Sequence, residues 1–132
     1  MLGGFMTYCC QNAATYENKP VIGNAQCAVL VEMLACAPIT AHWRKGRYVR
    51  RSFDIPTGTA IATFDATGKY PNRPTGNHAA LYLSQDPMGI WVIEQYLGLE
   101  KIQKRHIRFM NGGMPFHHNV ANDADAYSVI EL

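Results

Sequence analysis

The chain has 132 residues, 48% of them hydrophobic and 11% aromatic, which suffices for a packed core in one domain spanning residues 1–132 and is unlike a disordered chain. Its 12 basic and 10 acidic residues leave a formal charge of +2, too balanced for a dedicated nucleic-acid binder with a strongly basic face. No run approaches the ~20 apolar residues of a membrane-spanning helix. The segment from Met1 to Thr7 lacks both a basic start and a long apolar stretch, so the expectation is synthesis in the cytoplasm without a signal peptide.

In chain order, residues 7 to 17 mix Tyr8, Cys9, Ala13, Ala14 and Tyr16 with polar residues and read as a short helix ended by Asn18-Lys19-Pro20. Gly23 then breaks the chain, and residues 25 to 36 carry apolar residues at helical spacing with Pro38 just beyond. Asn24 is the expected cap of this helix, which would make Cys27 its third residue. A polar connection follows through Trp43 and Gly46. It includes the basic group Arg44, Lys45, Arg47, Arg50 and Arg51, which reads as a solvated loop or strand face or, alternatively, as a rim attracting an anionic substrate.

The turn Asp54-Ile55-Pro56-Thr57-Gly58 feeds a strand from Thr59 to Phe64, and a loop rich in Gly, Pro and Asn runs on to Gly76. Asn77 to Leu83 and Ile90 to Tyr96 are two strands across the turn Asp86-Pro87-Met88-Gly89, a connection short enough to require an antiparallel hairpin. Ile102 to Phe109 and Tyr127 to Leu132 complete the strands, with a long loop between them that contains His117-His118. A helical N-terminal part followed by antiparallel strands is an α+β order.

Cys27 is the residue around which chemistry can be built. Unpartnered N–H groups at a helix start carry partial positive charge and favour a thiolate, although a free cysteine also serves as a small buried hydrophobe. Strand periodicity puts His78, Ala80 and Tyr82 on one face, and Val92, Glu94 and Tyr96 on one face of the next strand. Pairing Ala80 with Val92 would set His78 opposite Glu94; a shift by one residue would set it opposite Gln95. Either neighbour can orient the imidazole, and a thiol, a histidine and an orienting third residue are what nucleophilic acyl transfer needs. The four cysteines at 9, 10, 27 and 36 do not have metal-ligand spacing, so reduced thiols are the default, with a bond from Cys9 or Cys10 to Cys36 as the alternative.

Gly23-Asn24-Ala25-Gln26-Cys27, Trp43 and Gly46, Gly58-Thr59-Ala60-Ile61-Ala62, Asn77-His78-Ala79-Ala80-Leu81-Tyr82 and Val92-Ile93-Glu94-Gln95-Tyr96 together resemble the CHAP family. These are cysteine, histidine-dependent amidohydrolases/peptidases, a compact branch of the papain-like fold that cleaves bacterial cell-wall peptides. Length and N-terminus resemble, more narrowly, amidase toxins delivered by type VI secretion. The resemblance implies an N-terminal helix packed on an antiparallel sheet, with Cys27 as nucleophile, His78 as general base and acid, and Glu94 as orienting residue. It implies a peptidoglycan peptide substrate, no cofactor and no metal, a monomer acting in the periplasm of a target bacterium, and a cognate immunity protein as inhibitor. Asn77, where many relatives have glycine, and Tyr96, where asparagine is frequent, depart from the pattern.

Gln26 and Gln95 are further candidates for oxyanion or substrate contacts, and Trp43, Tyr70, Tyr82 and Tyr96 for the pocket walls. His117-His118 is a weak metal signal without accompanying ligands. Two other functions fit the same residues: a non-catalytic binder of a wall fragment or partner, and a cysteine peptidase or deamidase acting on a protein.

Overall fold

One α-helix and six strands organise residues 7–111 and 119–131, the parts of the chain that the computed structural model describes. In order they are α1 (Cys27–Ala35), β1 (Arg44–Tyr48), β2 (Ala60–Thr63), β3 (Ala79–Asp86), β4 (Gly89–Glu94), β5 (Gln103–Arg108) and β6 (Tyr127–Glu131). The strands form one antiparallel sheet in the order β1-β6-β2-β3-β4-β5, so the α+β expectation holds.

Both faces of the sheet are covered. Ala60, Ala62, Ala79, Leu81, Ile93 and Ile130 face α1, where they meet Leu30, Val31 and Ala35. Three alanines in that set let the helix approach the sheet closely, and α1 packs chiefly on β3. The other face gathers Ile61, Ala80, Tyr82, Ile90, Val92, Ile107, Tyr127 and Val129 beneath Val49, Ile55 and Ala124. Because successive strand residues point to opposite faces, β2 is buried at every position.

Several elements differ from the sequence reading. The first segment forms only a 3-10 turn, Ala13–Tyr16, with Thr7 and Cys9 making isolated bridges to Glu131 and Thr59. The polar connection after Trp43 contains the edge strand β1, a strand face for Arg44, Lys45 and Arg47, which finds its partner in β6 80 or more residues later, out of reach of any local pattern. Two of the basic residues meet acids, Arg47 on the strand with Asp54 and Arg50 just beyond it with Asp125. The hairpin begins two residues later and ends two residues earlier than expected, its strands run three residues and one residue further into the turn, and that turn is closed by Asp86 Oδ1, which accepts from the N–H groups of Met88 and Gly89. Between β5 and β6 the chain makes two 3-10 turns, Val120–Asn122 and Ala124–Ala126. His117-His118 lies outside the described residues. Cys9, Cys10, Cys27 and Cys36 are all free thiols.

Candidate active site

The helix that carries the thiol starts later than its sequence suggests. Gln26, not Asn24, is the N-cap, and Cys27 is the first helical residue. Ala25 sits in the left-handed region at φ 70°, and Asn24 Oδ1 instead accepts the N–H of Gln26 at 3.1 Å. The cause is a distant side chain. Gln95, fully buried, accepts the Ile22 N–H at 2.7 Å and donates to the carbonyls of Ile22 and Gln26, both at 2.9 Å. It thereby does for this bend what a backbone ladder would do, and clamps the entry to α1 against the end of β4. Cys27, Leu30, Val31 and Leu34 form one helical stripe toward the sheet, so the thiol points inward at the helix start.

That start lies at the end of the sheet where β3 begins and β4 finishes. The hairpin pairs Leu81 with Ile93 and Tyr82 with Val92, before a bulge shifts the register toward the turn. This differs by two residues from the Ala80–Val92 pairing expected, and by one from the alternative. An even offset preserves the face, so His78 and Glu94 remain neighbours, now diagonal rather than directly opposed, a separation that long side chains span. His78 Nε2 and Glu94 Oε1 are 2.7 Å apart, with His78 only 5% and Glu94 0% exposed. Nδ1 is then the ring nitrogen left for Cys27, which lines the same cavity and whose sulfur and the imidazole each shift the other's titration.

Glu94 is held by more than the histidine. Arg105, on β5, donates from Nε to Oε2 at 2.6 Å and from Nη2 to Oε1 at 2.9 Å, and Gln103 donates to Oε2 at 2.5 Å. Arg105 in turn donates to Asn122 Oδ1 at 3.0 Å. Burial would raise the carboxyl, but His78 and Arg105 pull it down to about 2, so Glu94 is a fixed negative charge. Burial would likewise depress His78, yet its hydrogen bonds to Cys27 and Glu94, with the charges behind them, push it up to about 9. For Cys27, burial alone would raise the thiol. The hydrogen bond and charge of His78, the Tyr70 hydroxyl and the Ala79 N–H outweigh it and hold the thiol below its ordinary value. The three groups therefore favour thiolate, imidazolium and carboxylate together.

They open onto a cavity of about 640 Å³ lined by Gln26, Cys27, Tyr70, His78, Tyr96 and Arg105, with the loop from Asn72 to Asn77 on one side and Asn119 to Asn122 on the other. Of the aromatic walls expected from sequence, Tyr70 and Tyr96 line this cavity. Trp43 and Tyr82 do not; each is 3% exposed and belongs to the core on opposite faces of the sheet. Gln95 also faces away from the cavity, occupied by the clamp described above. Sequence reasoning missed Arg105 and Gln103. Their signal was present, two polar residues at alternate positions of the strand after Glu94, but β5 had no assigned register until its partner was known.

A thiol, an imidazole and a buried carboxylate brought together at the wall of an open cavity, on an α+β fold, are the groups that thiol-dependent acyl transfer uses. The chain belongs to the domesticated amidase effector 2 family, whose profile matches residues 4–130. It is 34% identical over 134 residues to the type VI secretion amidase effector 2 protein of Salmonella typhi, covering 96% of this chain and all of that one. It is 32% identical over 130 residues to domesticated amidase effector 2 of Ixodes scapularis, covering 93% and 84% of the two. Among solved structures, type 6 secretion amidase effector 2 superposes with a TM-score of 0.84 at 34% identity, covering 95% of this chain and 94% of that one. The resemblance to type VI amidase effectors is thus borne out.

Proposed function

We propose that the protein is a cysteine amidase that hydrolyses amide bonds in the peptides of bacterial peptidoglycan, delivered as an antibacterial effector into the periplasm of a target cell. The observation that carries this reading is the contact of Cys27 with His78, backed by Glu94, at the wall of a cavity with room for a peptide segment. Membership in a family of amidase effectors supplies the bond class.

The Cys27 thiolate attacks the amide carbonyl, forming a C–S bond while the carbonyl electron pair moves to oxygen. The backbone N–H of Cys27, first in its helix and without an intrahelical acceptor, is a donor for that oxyanion. His78 gives its proton to the leaving nitrogen and the C–N bond breaks. His78, now neutral, takes a proton from water, whose oxygen attacks the thioester and expels the thiolate. Glu94 holds the imidazole for both transfers, and Arg105 and Gln103 hold Glu94. A producing cell needs protection from such an activity, and an immunity protein that plugs the cavity would provide it.

Purified peptidoglycan is digested with the wild-type protein and with Cys27→Ala, and released fragments are resolved by mass spectrometry. New amine termini in the wild-type digest and none with Cys27→Ala are expected. Undiminished release by the variant would sink the assignment, and intact peptidoglycan beside a modified protein amide would move the activity to a protein substrate.

A further inference from the structure

Tyr70 enters the site from the loop after β2. Its hydroxyl lies 3.5 Å from Cys27 Sγ and also accepts a hydrogen bond from Asn77 Nδ2 at 3.0 Å. The orientation of Asn77 is settled by its other end, since Oδ1 accepts the Arg73 N–H at 2.7 Å and so leaves the amide nitrogen for Tyr70. With Asn77 donating to the phenol oxygen, the phenol's own proton is free to point at sulfur, and against a thiolate it is the only proton between the two atoms. The ring cannot swing away easily. It is 7% exposed and packs on Trp43 at a centroid distance of 4.8 Å, and the Trp43 indole N–H is itself tied to the Pro38 carbonyl at 2.8 Å.

Following from the cysteine amidase reading, we propose that Tyr70 is a further catalytic residue: its hydroxyl donates to the Cys27 thiolate in the free enzyme and to the oxyanion once the carbonyl is attacked, with Asn77 as its positioning residue. When the C–S bond forms, sulfur loses its negative charge and the carbonyl oxygen, two bonds away, gains one. A donor already beside sulfur has only a short shift to make, and joins the Cys27 N–H as a second donor. No proton leaves Tyr70 in either state. Its phenol is suited to that, because burial and then the Cys27 charge raise its pKa above the ordinary value and keep the donor protonated. The other titratable groups acting on this pair are His78 with Glu94 behind it, Glu32 further along α1 and the buried Tyr127, while Arg105 lines the same cavity.

The test uses the full chain with Tyr70→Phe, which keeps the ring on Trp43, and Asn77→Ala, which leaves the hydroxyl but frees it. Iodoacetamide alkylation of Cys27 is followed against pH by peptide mass spectrometry, with Cys9 and Cys36 as internal references, beside kcat and KM on muropeptides. Losing one hydrogen bond to a charged sulfur should raise the midpoint of Cys27 alkylation by about one pH unit in Tyr70→Phe. Asn77→Ala should move it the same way by less. Loss of an oxyanion donor should lower kcat by about a hundredfold with KM little changed. An unshifted midpoint or an undiminished kcat in Tyr70→Phe overturns the proposal. The alkylation readout needs no substrate, so a shifted midpoint beside a wild type inert on peptidoglycan would support the Tyr70 contact while refuting the substrate reading.

Discussion

Replacing Glu94 by glutamine removes a negative charge from the centre of the site while leaving side-chain volume nearly unchanged. Glu94 is fully buried and accepts from His78, Gln103 and both nitrogens of the Arg105 fork. A glutamine can keep one acceptor oxygen, but its NH2 must then face donors, either the Arg105 and Gln103 side or the imidazolium. A carboxyl held at about 2 against an ordinary 4.5 contributes about 3 kcal/mol of folding stability at neutral pH, at roughly 1.4 kcal/mol per pH unit. Removing one member of a buried charge network costs a similar 3 to 5 kcal/mol, roughly, so a loss of about 3 kcal/mol is expected. The sign follows from the depressed pKa: this stability is present above pH 4.5 and is lost as pH falls through about 2. Urea unfolding at a series of pH values should therefore show wild type well above Glu94→Gln at neutral pH and the two curves converging in acid. The same substitution takes the carboxylate from behind His78, so Cys27 alkylation should need higher pH. A loss under about 1 kcal/mol at neutral pH, or a gap that persists unchanged in strong acid, would refute the reasoning.

The pH–rate profile should be bell-shaped, rising as Cys27 ionises at a value below its ordinary 9.0 and falling near 9 as the His78 imidazolium loses its proton; a rate that climbs without a basic limb would contradict the ion-pair assignment. Gln95→Leu leaves the Ile22 N–H without its acceptor and takes one of two donors from each of the Ile22 and Gln26 carbonyls at the entry to α1, and should cost about 2 kcal/mol in urea unfolding and reduce kcat, although its hydrogen bonds reach the cavity lining only at the Gln26 carbonyl. Gly58→Ala should destabilise by more than about 2 kcal/mol, since φ is +95° there and a Cβ would sit 1.9 Å from the Cys10 carbonyl oxygen; a thermal melt within a degree or two of wild type would argue against so tight a junction.

What the sequence determined by itself is mostly local or periodic. Apolar spacing placed α1, alternation placed β2 to β6 to within a few residues, and the short link at Asp86 to Gly89 forced β3 and β4 to pair antiparallel. Parity alone kept His78 and Glu94 on one face, and that survived a register off by two residues because a strand repeats every two. Tertiary structure decided the rest, through contacts that no local pattern encodes. Gln95 reset the helix start from Asn24 to Gln26 because its amide satisfies backbone groups some 70 residues earlier, outweighing the better capping residue. The segment from Arg44 to Tyr48 became a strand only because β6 offered it an edge. Trp43 and Tyr82 went to the core while Tyr70 reached the sulfur, although all three are large aromatics with a polar group to satisfy. Arg105 became the support of Glu94 through the register of β5 on β4, which sets Arg105 opposite Val92 and Gln103 opposite Glu94, a pairing fixed by side-chain packing across the sheet and not by either strand alone.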